Sequence, residues 1–258
     1  MSVEQSDAIV LRSFPWSETS LIAHIYTRDF GKLSVLAKGA RRPKSPFEAA
    51  LDLLSFSRVV FIAKSGDALD ILTEAKLLER FRAGSKDLLR LYCGYYVAEL
   101  LDRLTDKGDK QPEVFELGLS TLRALAKPDL EVRATVLRFE LQMLRCLGQL
   151  PSFRKCAQCG MEVESATDVV ETELLMFGML AGGVLCASCR PGSPQLLRIP
   201  AATRITLERI SATKWQDVDL MEYPVEHRAA IRGWITKYLT VVLDRKLQMH
   251  PYLEELGR

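Results

Sequence analysis

This 258-residue sequence is poor in several things that would make a function easy to name. It has almost no net charge, with 35 Lys and Arg against 33 Asp and Glu and a formal balance of +2. No global field is available to attract nucleic acid, so any such affinity must come from where the charges sit. It has no apolar run of the roughly 18 to 20 residues that span a bilayer. The longest mixed stretch, Leu174 to Leu185, is interrupted by Gly178, Gly182 and Gly183. The first residues, Met1-Ser2-Val3-Glu4-Gln5-Ser6-Asp7, lack the basic and apolar regions of a secretory signal, so a cytoplasmic protein with reduced thiols is expected. Catalytic signatures are missing as well: no G-x4-G-K-[ST] phosphate loop, no G-x-S-x-G elbow, no H-E-x-x-H and no G-x-G-x-x-G. The three histidines, His24, His227 and His250, are scattered, and His24 reads as an exposed polar position on a strand. Nothing nominates an active site or a small-molecule substrate, and the expectation is a protein that is not an enzyme.

What is present is a globular composition, 48% hydrophobic, with a change of pattern near residue 80. Asp7 to Phe14, Ser20 to Thr27, Gly31 to Gly39, Arg58 to Ala63 and Ala68 to Thr73 read as short strands, several alternating at period two. Five strands without a helix-length repeat between most of them suit a small barrel such as an OB-fold, with an SH3-like barrel nearly as good a fit. After Glu79 the period becomes helical. One helix follows Ser85 as N-cap and ends at Asp106-Lys107-Gly108-Asp109; a second has Pro112 in its first turn. A third follows Pro128-Asp129 and stops at Gly148, and the three are expected to pack antiparallel. Further helices are expected over Ile199 to Ile210 and Val225 to Leu247. The predicted class is α+β: an OB-fold over 1–80, a helical domain over 81–150 and 196–258, and a cysteine-bearing module inserted at 151–195.

Cys156-Ala157-Gln158-Cys159 and Cys186-Ala187-Ser188-Cys189 form a C-x2-C…C-x2-C pair separated by 26 residues. Each knuckle turns two sulfurs to one side, and the favoured reading is a tetrahedral site for one structural Zn2+ with no open coordination position, the alternatives being two redox-active C-x-x-C dithiols or four unliganded thiols. The acids Glu162, Glu164, Asp168, Glu171 and Glu173 lie between the knuckles without a single Lys or Arg, so this ribbon makes a poor phosphate reader. Cys93 and Cys146 fall singly on helical apolar stretches and read as core.

From Phe30 to Phe47 the chain carries Lys32, Lys38, Arg41, Arg42 and Lys44 and no acid. Gly39 and Pro43 would shape a loop after a strand, presenting cations at a barrel rim where a DNA backbone could lie. Trp16, Tyr26, Phe47, Phe56 and Phe61 are available to stack on bases, but in a small barrel such residues are more often core, and none is assigned that role.

These pieces resemble the bacterial recombination-mediator family RecO. The likeness runs through Ala8-Ile9-Val10-Leu11-Arg12, Ala37-Lys38-Gly39-Ala40-Arg41-Arg42, Tyr95-Tyr96-Val97-Ala98-Glu99-Leu100 and Phe139-Glu140-Leu141. It continues through Leu147-Gly148-Gln149-Leu150-Pro151, Cys156-x-x-Cys159-Gly160 and Gly182-Gly183-Val184-Leu185-Cys186-x-x-Cys189. The resemblance implies an N-terminal OB-fold, a helical domain and an inserted zinc-ribbon-like module in a protein without catalytic turnover. It also implies binding of single- and double-stranded DNA and annealing of strands coated with single-stranded DNA-binding protein. With RecR, the family helps to load the recombinase RecA in DNA repair, and it contacts the C-terminal tail of the single-stranded DNA-binding protein. On this likeness Lys38, Arg41 and Arg42 map onto the family's basic loop, and Cys156, Cys159, Cys186 and Cys189 onto its zinc ligands. The chain departs from the family in having only Lys44 beyond the arginine pair. A nucleoid-associated location is implied. The reading from another class is a zinc-containing protein-interaction adaptor with incidental DNA binding.

Overall fold

The computed structural model describes residues 2–66, 68–83, 87–163, 174–212 and 225–257. The chain divides into two compact units, Met1–Asp129 and Leu130–Arg258.

In the first unit, five strands form a ring of pairings: β1 (Val3–Pro15), β2 (Leu21–Thr27), β3 (Gly31–Ala37), β4 (Phe56–Ile62) and β5 (Asp70–Glu79). β1 pairs antiparallel with both β2 and β4, β2 with β3, and β4 with β5. A short parallel contact, Val35↔Asp70 through Ala37↔Leu72, joins β3 to β5 and completes the order β1-β2-β3-β5-β4. The period-two reading holds closely on β3, where Gly31, Leu33, Val35 and Ala37 are buried and the residues between them are half-buried. Ala8, Val10, Ile25, Val35, Val59 and Phe61 fill the interior, and Phe47 and Leu51, at the 3-10 turn Glu48–Leu51, join them.

Two helices complete this unit, α1 (Leu88–Leu104) and α2 (Pro112–Leu125). Asp87 caps α1, accepting from the Arg90 amide at 3.1 Å; the expected cap, Ser85, lies outside the described residues. Arg90 itself is buried and donates to the carbonyls of Lys127 and Pro128, each at 2.7 Å. One guanidinium thereby satisfies carbonyls just beyond the C-terminal end of α2 and pins that end to the start of α1. The loop after α1 is fastened to β3: Gly108 N–H donates to Lys32 O at 3.0 Å. Gly31 has φ +64°, and a Cβ there would lie 2.0 Å from the Asp109 carbonyl oxygen, so both conformation and space demand glycine.

The second unit contains α3 (Val132–Cys146), β6 (Leu174–Gly178), β7 (Gly183–Val184), β8 (Leu196–Pro200), α4 (Ala201–Ala212), α5 (Val225–Leu243) and the 3-10 segment His250–Gly257. The strands form a sheet of order β7-β6-β8. An aromatic cluster seats it on α5: Phe177 meets Trp234 edge-on at 5.4 Å, Phe153 lies 5.6 Å from Trp234, and Trp234 stacks on Tyr238 at 5.4 Å. Tyr238 donates its hydroxyl to Gln149 O at 2.9 Å, and burial pushes its pKa up to about 12.

The structure changes several expectations. The three-helix group is divided, because α1 and α2 belong to the first unit and α3 to the second. The helix expected from Ile199 starts at Ala201, since Leu196–Pro200 is recruited as β8 by β6; the residue before a proline also resists the helical region. The last helix ends at Leu243 and not at Leu247, where Asp244 turns to φ +51°. Cys93 is core as expected, but Cys146, the final residue of α3, is exposed. His24 is only half-exposed, with Phe14 against its ring, and burial lowers its pKa.

Candidate functional site

Both knuckles fold as tight turns. Gly160 N–H donates to Cys156 O at 2.8 Å with Gly160 at φ +74°, and Arg190 N–H donates to Cys186 O at 3.2 Å. A cross-link holds them side by side, with Ala157 N–H on Val184 O at 2.9 Å. All four Sγ atoms of Cys156, Cys159, Cys186 and Cys189 lie within 4.8 Å of one another, so the group could hold a metal ion. The Cys159 and Cys186 sulfurs are 3.7 Å apart. A disulfide needs about 2.05 Å, whereas the edge of a tetrahedron of sulfurs about 2.3 Å from a central cation is about 3.8 Å. The protons follow the same logic. Although burial raises the Cys156 pKa, backbone amides of Cys186, Cys159 and Gln158 and the Cys159 thiol lower it, to a net value of about 6. Cys189 is pushed up to about 12, chiefly by its hydrogen bond with Cys186. Without a cation the four sulfurs oppose one another's ionisation, and a metal ion bound among them would relieve that opposition. Of the acids between the knuckles, Glu162 is exposed, while Glu164, Asp168, Glu171 and Glu173 lie outside the described residues.

The predicted cations are not brought together as one set. Lys38, Arg41, Arg42 and Lys44 are all exposed on the loop that leaves β3. Gly39, at φ +74°, turns the chain, and the Arg42 side chain folds back over it. Arg41 N–H donates to Thr19 O at 3.0 Å and its guanidinium to Ser17 O at 2.8 Å, which ties this loop to the β1–β2 turn. Among the described residues none of these four cations has a carboxylate partner. By contrast, Arg28 pairs with Glu116, Arg58 with Asp7 and Arg80 with Asp52. Lys32, at the opposite end of β3, is taken by α1: its amine donates to the Asp102 carbonyl and lies 3.6 Å from the Asp102 carboxylate. Local sequence could not show this, since the partner is 70 residues away. Of the aromatics, Tyr26, Phe47 and Phe61 are core and Phe56 is half-buried, but Trp16 is exposed.

A further feature escaped sequence reasoning. A cavity of about 810 Å³ in the second unit is lined by Leu196, Leu197, Val241, Leu247 and Leu253, with Lys237 and Lys246 exposed at its edge. Arg232 lines it too, held by Glu140 at 2.8 Å, as does Glu254. His250 is kept neutral here, its pKa lowered to about 4 by burial and by Arg232. The lining comes from three separate elements, β8, α5 and the 3-10 segment, and the loops beside them, so no single segment carries its signature.

Residues 1–81 match the family profile described as "Recombination protein O N terminal", and residues 85–250 match "Recombination protein O C terminal". The chain belongs to the RecO family of DNA repair proteins. It is 44% identical over 190 residues to the DNA repair protein RecO of Rhodopirellula baltica, covering 74% of this chain and 68% of that one. It is 30% identical to the DNA repair protein RecO of Symbiobacterium thermophilum over 99% of this chain and 98% of the relative. The corresponding protein of Streptomyces griseus is 31% identical over 99% of this chain and all of its own length. The two profiles meet between residues 81 and 85, where the last barrel strand gives way to α1. No helix among the described residues is long and apolar enough to cross a membrane.

Proposed function

We propose that this chain is a recombination mediator that binds single- and double-stranded DNA and anneals complementary strands coated with single-stranded DNA-binding protein. With RecR it would help to load RecA. The observation that carries this reading is the loop of Lys38, Arg41, Arg42 and Lys44, exposed and, among the described residues, without carboxylate partners, on a barrel whose other cations are largely neutralised in place. The strand order and the parallel β3–β5 contact support an OB-fold, and the knuckle geometry supports a structural Zn2+, one per chain. The domain scheme read from the sequence, an OB-fold over 1–80, a helical domain over 81–150 and 196–258 and a zinc module over 151–195, then needs one change: α1 and α2 group with the barrel, in Met1–Asp129. The protein works by binding energy without catalytic turnover: cations screen the repulsion between two phosphate backbones, and partner contacts bring the protein to the right DNA. Lys32, occupied by Asp102, contributes to the fold of the barrel more than to this surface.

The double variant Arg41→Ala/Arg42→Ala is expected to weaken DNA binding and to flatten the dependence of log affinity on log salt by roughly one to two units, one for each lost phosphate contact. Fluorescence anisotropy across a salt series measures both. An unchanged affinity and slope would remove the loop from the DNA-binding surface.

The apolar cavity edged by Lys237 and Lys246 fits the acidic, apolar C-terminal tail of single-stranded DNA-binding protein. Charge reversal, Lys237→Glu/Lys246→Glu, is expected to abolish binding of a labelled tail peptide while leaving naked-DNA affinity unchanged. Strong partner binding without annealing activity would instead favour the adaptor reading.

A further inference from the structure

We infer that Trp16 is a base-stacking platform for single-stranded DNA, placed to receive a base while the neighbouring loop cations hold the phosphates. This rests on the basic-loop reading above and extends it from the backbone to the bases.

A tryptophan side chain is the largest apolar surface a chain carries, and in a protein with an ample core it is normally covered. Trp234 follows that rule at 1% exposure, whereas Trp16 is 63% exposed. Single exposed apolar residues are common, so exposure alone decides nothing. The position does more. Trp16 opens the β1–β2 turn, fixed by its own N–H on Ser20 O at 3.0 Å. The next residue, Ser17, offers the carbonyl that holds the Arg41 guanidinium at 2.8 Å, and Thr19 holds the Arg41 backbone at 3.0 Å. The indole and the cation pair are therefore carried by two turns hydrogen-bonded to each other.

The flank of the turn is exposed as well. The last four strand residues of β1, Arg12 to Pro15, are all exposed, in contrast to the buried run before them. Phe14 is 41% exposed and lies against His24, with ring centroids 5.6 Å apart. Glu18 is the one acid in the turn and is also exposed, but it does not pair with Arg41 or Arg42. Aromatic faces and exposed cations are the two components of a sequence-tolerant single-strand site: every base has a π-face and every nucleotide a phosphate. A protein partner would use the indole differently, and the test separates the two.

The probes are a thymidine oligomer and an oligomer of equal length with abasic sugars, measured against the full chain over a salt series. Trp16→Ala is expected to weaken thymidine binding about tenfold, while Trp16→Phe keeps most of it. The abasic oligomer should bind both variants as it binds the parent protein, and the salt slope should not change, because no phosphate contact is lost. Duplex, whose bases already stack on one another, should lose less than single strand. Trp16 is largely exposed, so its truncation removes little packing, and an unchanged melting temperature confirms that the fold is intact.

Equal thymidine affinity for Trp16→Ala and the parent would overturn the assignment. So would an equal loss on both oligomers, which marks a structural role, or a loss of partner-protein binding with DNA affinity intact. Arg41→Ala/Arg42→Ala distinguishes the levels. If it weakens both oligomers and Trp16→Ala weakens neither, the basic loop stands and the stacking falls. If it leaves both unaffected, the loop reading itself fails and the stacking assignment fails with it.

Discussion

Cys156→Ser is expected to lower the stability of the Leu130–Arg258 unit by several kcal/mol while leaving the affinity of the basic loop for DNA close to that of the parent. The cluster joins two pieces of chain that have little else to hold them in register: β7 is two residues long, and the knuckles meet through a few backbone hydrogen bonds. Cys156 is also the most buried of the four, at 2% exposure. Losing one ligand removes a large share of a metal's binding energy, which in such sites is folding energy, about 10 to 16 kcal/mol in zinc-finger peptides. The remaining sulfurs would be left as a crowded set of thiols whose ionisation is mutually opposed. The effect should pass to α5, because Phe153 and Phe177, on the module side, form the wall against which Trp234 packs. Trp234 emission, followed in a Trp16→Phe/Trp215→Phe background, should shift to the red at a lower temperature than in the unsubstituted cluster. Elemental analysis should give about one zinc per chain before substitution and markedly less after it. A well-folded preparation containing no metal would overturn the structural-zinc reading.

Glu140→Ala is expected to be the most damaging single change away from the cysteines. Glu140 on α3 is fully buried, and Arg232 on α5 meets it with two hydrogen bonds, at 2.8 and 3.3 Å. Arg232 also donates to Thr236 Oγ1 at 3.2 Å. Truncating the carboxylate takes two hydrogen bonds and the Glu140 charge from a nearly buried guanidinium, and breaking a buried pair in this way costs about 3 to 5 kcal/mol. In a unit of this size the melting temperature should fall by about 10 to 20 °C. The pair need not be strongly stabilising relative to a dry contact, since both ions had to be desolvated. Glu140→Met/Arg232→Met should therefore recover most of the lost stability. Thermal melts of the two single variants and the double variant give the coupling directly. A double variant as unstable as Glu140→Ala would show that Arg232 has a separate structural role, through Thr236 or the cavity wall.

Local patterning carried much of the architecture. Alternation at period two made the strands legible, and on β3 it matched burial residue by residue, because one face of each strand lines the interior. The C-x2-C spacing made the four-sulfur cluster legible, because a knuckle is a local turn whose sulfurs converge whatever surrounds it. The loop Lys38 to Lys44 was legible for a related reason: an acid-free run bounded by Gly39 and Pro43 has no sequence neighbour to neutralise it. Reading failed where a residue's role depends on something distant. Lys32 belongs to the same charge run, yet Asp102 takes it. The end of the β8 segment read as helix because its apolar run lacks a period of its own, and only pairing with β6 makes it a strand. Cys146 read as core because the helical stripe reaches it, but the stripe ends before the helix does.

The sequence alone therefore determined the β-then-α order, the pairing of the cysteines into two knuckles and the cation-bearing loop, each of which is written in local patterning. Only the tertiary structure decided how the barrel's strands join, which cations lack a carboxylate partner among the described residues, that Arg41 is hydrogen-bonded to the turn carrying the exposed Trp16, and that Glu140 and Arg232 meet inside the second unit. Those outcomes are set by long-range geometry: β3 reaches β5 across more than thirty intervening residues, and Glu140 finds its partner 92 residues later. Composition and spacing record which groups a chain owns; desolvation and pairing, which give each charge or ring its role, depend on what folding brings against it.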